Sequence, residues 1–316
     1  MAAPAVARPG RRGLLWYLGI RSLSAREAAI GYALIVPIYL FFFVVVFAPM
    51  LFSFYLSLIR WDGIRPIGEA PFLGLQNYAE LAADERFRWS LYHDLEFAVE
   101  TFVGEIAIGL LLALIVNQAK RFIGVTRFFV FSPVVLPVAA VAILFARLMM
   151  NPTYGTFNLL LTATGLPASQ WIYHPDSAMR SIVLTTVWKS SGYYMVLFLA
   201  ALQGIPDVYY EAAHIDGAGK LARFRYITLP LLKPALLFIC VINLISNLQA
   251  FSQIWVMTAG GPSRATEVLV VLIYNTAFGY FKLSYAATIA VALFLLILFL
   301  TLVQIRVLRR GGFQEY

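Results

Sequence analysis

Long apolar runs alternate with short charged islands along this chain, and the runs have the length of membrane-crossing helices. Residues 28–59 carry no charge. At 1.5 Å per residue such a run crosses a hydrocarbon core of about 30 Å with length to spare. Further runs at 95–116, 128–146, 181–202, 234–256 and 283–305 predict five more spans. The second is interrupted by Glu96, Glu100 and Glu105, and the third contains Pro133 and Pro137. Proline is tolerated in a membrane helix where neighbours satisfy the freed carbonyl, so a kink is expected there. The apolar stretch 268–281 would be only about 21 Å long as a helix, too short to span comfortably, and is expected as a helix packed at the outer surface. The pattern predicts an all-α integral membrane protein with six transmembrane helices.

Composition agrees with this pattern. The chain is 61% hydrophobic and 13% charged, with a mean hydropathy of +0.80, whereas soluble domains average about 25% charged residues. The net charge of +8 could point to nucleic acid, but the basic residues cluster beside the apolar runs and read as topology signals. Fifteen of the 24 Lys and Arg fall in four segments: the tail 1–27, the island 117–127, the loop 204–232 with Lys233, and the end after residue 305. These segments are expected inside, with both termini cytoplasmic. The islands 60–89 and 147–180 are expected outside. Residues 1–27 are Arg-rich, and their apolar patch 14–20 is too short for a signal-peptide core. This segment and 311–316 read as cytoplasmic tails flanking a permease domain, 28–310. Cys240 is the lone cysteine, so no internal disulfide can form. His93, His174 and His214 lack metal-ligand spacing, and no metal site is expected.

Polar residues inside spans narrow the chemistry. Glu96, Glu100 and Glu105 share roughly one helical face and either line a solute path or lie at the outer mouth and pair within the bundle. In the fifth span Asn243, Ser246, Asn247, Gln249 and Gln253 fall within an arc of about 160°. That face could line a path for a sugar, whose hydroxyls both donate and accept, or could join helices by hydrogen bonds.

The most informative island is 204–232. Ile205-Pro206-Asp207 reads as a helix start with Asp207 in the first turn, and Asp216-Gly217 breaks the pattern and can cap a second short helix. Gly217-Ala218-Gly219-Lys220 superficially matches a phosphate-binding loop. The upstream glycine is missing, however, and Leu221 stands where Ser or Thr should hold magnesium, so this chain is not expected to bind ATP.

Glu211-Ala212-Ala213, Asp216-Gly217-Ala218, Phe224, Ile227 and Leu229-Pro230 resemble the EAA loop of permease subunits of carbohydrate-type (maltose- and glycerol-phosphate-like) ATP-binding-cassette importers. Phe72 to Tyr78 and the Thr258, Gly260-Gly261-Pro262, Thr266-Glu267 cluster also resemble that family. The resemblance implies the type I importer permease fold and the cytoplasmic (inner) membrane of a prokaryote. It further implies a sugar-import role without catalysis in this subunit. The implied partners are a second homologous permease, two ATPase subunits that bind ATP and Mg, and an extracytoplasmic solute-binding protein. Glu211, Ala212, Ala213, Asp216, Gly217, Ala218, Phe224 and Pro230 would couple to the ATPase. Thr186, Lys189, Ser190, Tyr193, Asn243 and Asn247 match sugar-contacting positions. This chain departs from the maltose-type pattern at Lys189, where an apolar residue is usual, in its paired Ser190-Ser191, and in lacking a large external insertion. Lys189 could therefore face an anionic solute such as glycerol 3-phosphate, or snorkel, or pair with a span-two glutamate. An ion-coupled secondary transporter would use those glutamates differently, but would leave the 204–232 loop unexplained.

Overall fold

The computed structural model describes residues 23–118 and 123–310. The tails, with Arg8, Arg11, Arg12 and Arg21, and the pair Lys120 and Arg121 lie outside the described residues. Among the described residues the secondary structure is helical, and strand pairing is limited to an isolated bridge between Ile59 and Phe72. Five helices are long and apolar enough to cross a membrane: Glu27–Ser57, Glu85–Asn117, Pro175–Gln203, Lys233–Thr258 and Leu283–Val307. The segments Phe128–Val135 and Val138–Met149, bent by 99° at their junction, make a sixth if they cross once together.

The chain divides into two compact units, Met1–Tyr55 and Leu56–Tyr316. In the first, α1 (Leu23–Phe42) passes through a π turn at Phe43–Phe47 into α2 (Ala48–Ser57). Its side chains from Tyr32 to Phe47 are exposed and almost all apolar. Only lipid or another membrane helix can cover such a surface.

In the second unit, α3 (Gln76–Ala83) holds Asn77, whose amide donates to the carbonyls of Ser57 (2.8 Å) and Ile59 (3.0 Å). The long helix α4 (Glu85–Gln118) follows. Asp84 caps it by accepting from the Arg86 N–H at 2.8 Å, and its other oxygen accepts from the Tyr285 hydroxyl at 2.7 Å. At about 51 Å, α4 exceeds the hydrocarbon thickness, so its charged first turns project beyond it. This helix begins ten residues before the stretch expected from hydropathy, because Arg86, Trp89, His93 and Asp94 are helical but not lipid-like.

The third predicted span is broken rather than kinked. α5 (Ile123–Val135) contains Pro133, and α6 (Val138–Ile143, continued by a π turn to Met149) starts afresh after Pro137. Pro137 lacks an N–H and pushes Leu136 out of the helical region, which permits the 99° turn. After the short α7 (Thr156–Ala163), α8 (Pro175–Gln203) runs alongside α4. Gly104 and Gly109 make this approach possible: a Cβ on Gly109 would lie 2.8 Å from the Tyr194 Cβ and 3.2 Å from the Met195 nitrogen.

α9 (Val208–Ile215) and α10 (Lys220–Arg223) form the 204–232 island, and α11 (Lys233–Leu248) and α12 (Ser252–Thr258) make the next span, broken at Gln249–Phe251. The short apolar stretch is the helix α13 (Leu269–Tyr274) with a π turn to Gly279, followed by α14 (Leu283–Arg310). Leu269 and Leu272 pack with Leu81, Ile289 and Leu293, while Val268 and Val271 join the cluster around Phe97. The apolar character of α13 thus serves packing inside the bundle.

The core comes in layers. One cluster gathers Phe97, Val141, Phe145, Ile182, Ile254 and Val271. Another gathers Ala113, Val116, Met195, Phe198, Leu202 and Ile239 next to the 204–232 island. Between these two apolar clusters, and among apolar neighbours, α4 carries Thr101 and Glu105, α8 carries Thr185, Thr186, Lys189, Ser190 and Ser191, and α11 carries Asn243 and Asn247.

Candidate functional site

The polar layer centres on Glu105, placed on α4 between Phe97 and Ala113. Its Oε2 accepts from the Asn243 amide at 2.7 Å and from the Asn247 amide at 3.0 Å, and Asn247 also donates to the Asn243 Oδ1 at 2.9 Å. Asn243 and Asn247 are one helical turn apart on α11, so both amides reach the same oxygen. Ser190 on α8 is a further neighbour of this carboxylate, and Tyr194 neighbours Asn243. Glu105 is 1%, Asn243 0% and Asn247 4% exposed. A buried carboxylate needs such donors, since an unpaired one would cost several kcal/mol.

The structure therefore brings Ser190, Asn243 and Asn247 together and adds Glu105, which sequence reasoning had left between a path-lining and a bundle-pairing role. Thr186, Lys189, Ser190 and Tyr193 share one side of α8 and are half-buried to exposed. Thr186 returns its hydroxyl to the Ile182 carbonyl at 2.9 Å, and the Tyr193 ring packs edge-on against Tyr194. Lys189 takes a different partner from those expected: its ammonium donates to the Val134 carbonyl at 3.3 Å. No ion pair joins it to Glu96, Glu100 or Glu105 among the described residues. Val134 is the acceptor that the N–H of Val138 would use in an unbroken helix, so the lysine serves a carbonyl freed by the Pro137 break. The single polar face expected on span five is also divided. Asn243 and Asn247 are buried, Ser246 and Gln249 are exposed, and Gln253 lies beyond the break with its amide on the Met257 sulfur.

The second candidate surface is the helix pair α9–α10. Here two expectations change. Asp207 makes no side-chain cap and is itself helical in conformation; its carbonyl accepts from the Tyr210 and Glu211 N–H groups. Asp216-Gly217 closes α9 rather than opening α10, which starts at Gly219. The Ala218 N–H reaches the Ala213 carbonyl at 2.8 Å and the Gly217 N–H reaches that of His214 at 3.1 Å, with Gly217 at φ +75°. This is a Schellman closure, and it needs the left-handed residue that glycine supplies. The Tyr210 hydroxyl bonds to that of Thr228 at 3.0 Å, tying α9 to the segment after α10.

Glu211, Ala212, Asp216, Gly217 and Pro230 are exposed, Ala218 and Phe224 are half-buried, and Ala213 is buried beneath the turn. Ile215 at 86% and Leu221 at 79% exposure stand on either side of the turn. Two large apolar side chains on a charged island form a surface suited to a protein partner. Sequence reasoning missed both, although each flanks the motif it singled out.

Comparisons with known proteins agree with this arrangement. Residues 105–311 match the family described as "Binding-protein-dependent transport system inner membrane component". The trehalose/maltose transport system permease protein MalF of Thermococcus litoralis is 37% identical over 291 residues, covering 90% of this chain and 95% of that protein. The lactose transport system permease protein LacF of Rhizobium radiobacter is 33% identical, covering 87% and 92%. Among solved structures, a bacterial ABC transporter involved in import of the acidic polysaccharide alginate superposes with a TM-score of 0.79 at 22% identity, over 94% of this chain and 98% of that one. With its helical bundle, buried polar layer and solvent-facing helix pair, the chain belongs to the binding-protein-dependent transport system inner membrane components, a family of multi-pass membrane permeases.

Proposed function

We propose that this chain is a sugar-carrying permease subunit of an ATP-driven importer, assembled with a second homologous permease, two ATPase subunits and an external solute-binding protein. ATP and Mg belong to the ATPases, and both termini of this chain face the cytoplasm. The observation that carries the reading is the α9–α10 pair: a Schellman-closed turn presenting Glu211, Ile215 and Leu221 between α8 and α11. Those two helices also hold Ser190, Asn243 and Asn247, so a push on α9–α10 acts directly on the polar layer. Closure of the ATPases would then expose that layer alternately to either side.

Relatives named for trehalose, maltose, lactose and arabinooligosaccharides support a sugar as the solute, and one named for sulfoquinovosyl glycerol carries a sulfonated one. Lys189, the residue that pointed to an anionic polyol, has its ammonium engaged by the Val134 carbonyl. The test is affinity purification of the chain in mild detergent, wild type against Glu211→Arg, with mass spectrometry of co-eluting proteins. An ATPase and a second permease should accompany the wild type, and the ATPase should be lost from the variant. A chain that purifies alone in both cases sinks the importer reading.

A further inference from the structure

We infer that Glu105 sets the charge preference of the solute site, accepting hydrogen bonds from the hydroxyls of neutral sugars and repelling anionic ones. The inference rests on the importer reading for the identity of the site, and adds to it a residue and a selectivity. Three observations carry it. First, the carboxylate lies in the polar layer between two apolar clusters, on the helix that packs most closely against α8. Second, its neighbours are donors without formal charge: the Asn243 and Asn247 amides on one oxygen, and Ser190. An ionised carboxylate is acceptor-only, and donors converging on it from two helices are the arrangement it requires. Third, the Lys189 ammonium donates to the Val134 carbonyl on a different helix, and no ion pair joins it to Glu105 among the described residues.

Ser190 is half-buried, as is Thr186, and both are continuous with the exposed Tyr193 on α8. Ser190 therefore links the buried carboxylate to the side of α8 that a solute would meet. In the conformation seen here Glu105 occupies both asparagine amides. A neutral sugar entering the layer can accept hydrogen bonds from those amides and donate hydrogen bonds from its own hydroxyls to the carboxylate. A uronate or phosphate would instead bring a second negative charge into a medium that screens it poorly.

The test measures the field of Glu105 without needing the solute. Cys240, the lone cysteine, is replaced by Cys240→Ala, and Tyr193→Cys or, separately, Thr186→Cys supplies a label site on α8, each in a Lys189→Met background because Lys189 lies one helical turn from both positions. The chain is purified with its partners in detergent. It is treated with cationic trimethylammonioethyl methanethiosulfonate or anionic sulfonatoethyl methanethiosulfonate, and labelling is read on the peptide carrying the new thiol. Rates are normalised to a free thiol. The cationic reagent should be favoured by on the order of tenfold with Glu105 in place, and Glu105→Gln should bring the ratio near one. A ratio near one in the Glu105 background, or an elevated ratio unchanged by Glu105→Gln, overturns the inference. If Glu105→Gln does not fold, the ratio in the Glu105 background decides by itself, and Glu105→Asp should keep it above one. Because the readout is independent of what is carried and of ATPase docking, its failure is separable from failure of the co-purification test.

Discussion

Arg86 and Glu267, 181 positions apart, form a two-point ion pair: the arginine Nε donates at 2.8 Å and a terminal nitrogen at 2.5 Å. Asn275 adds a third donor to the carboxylate at 3.2 Å, and the Tyr280 ring lies 5.2 Å from the guanidinium. The pair fastens the start of α4 to the Gly260-Gly261-Pro262 turn, at the end of the bundle away from α9–α10. Glu267 is almost fully buried. Removing one partner strands the other charge, so Glu267→Ala should lower stability by about 3–5 kcal/mol in thermal unfolding of the detergent-purified protein. Arg86→Met combined with Glu267→Leu should recover most of that loss.

Asn243→Ala and Asn247→Ala should each destabilise the chain by about 1–3 kcal/mol, because each leaves the buried Glu105 short of a donor. The two amides share one acceptor oxygen and bond to each other, so the double variant should fall short of the sum. Unfolding midpoints check this. Under the importer reading, uptake of the carried sugar by cells holding the complete importer should drop in all three variants.

Lys189→Met keeps the length of the stem and removes the donor to Val134. Stability should fall by about 1 kcal/mol, while uptake of a neutral sugar should persist. Abolished uptake with an unchanged unfolding midpoint would return Lys189 to the solute site.

Gly217 has open space around its Cα, so nothing collides with an added Cβ, but its φ of +75° disfavours one. Gly217→Ala should therefore weaken the α9 closure by about 1 kcal/mol, read, under the importer reading, as roughly fivefold weaker retention of the proposed ATPase on co-purification. Gly217→Asn should be milder, since asparagine tolerates this region better than other residues with a Cβ.

Gly109→Ala forces α4 and α8 apart where a backbone nitrogen cannot yield. A loss of about 1–3 kcal/mol is expected, with Gly31→Ala, which meets nothing within 4 Å, as the unaffected control.

The helical architecture was legible in the sequence because a bilayer imposes length and apolarity on each span, and 28–59 or 283–305 answer that constraint without ambiguity. The α9–α10 pair was legible for a different reason: Asp216-Gly217 is a local signal, read correctly as a break even though it closes the first helix instead of opening the second. What escaped were relationships between spans. Glu105 and Asn243 lie 138 positions apart, and their pairing follows from the register of α4 against α11, which hydropathy does not encode. Lys189 escaped similarly, since its partner is a backbone carbonyl exposed only once Pro137 breaks the third span. The N-terminal turns of α4 were missed because their helix is held by Asp84, Arg86 and Glu267 rather than by lipid.

The bracing of α9–α10 bears on how much work survives transmission. A floppy connector would fold up under load and dissipate the stroke as local motion. Here the turn is closed by two backbone hydrogen bonds, and the Tyr210–Thr228 bond cross-links its two arms. Displacement of either arm must then move α8 and α11 as well. Under the importer reading, stiffness at this joint sets the ratio of ATP hydrolysed to solute moved. Tyr210→Phe should leave hydrolysis running while uptake lags behind, a slipping clutch rather than a stalled engine.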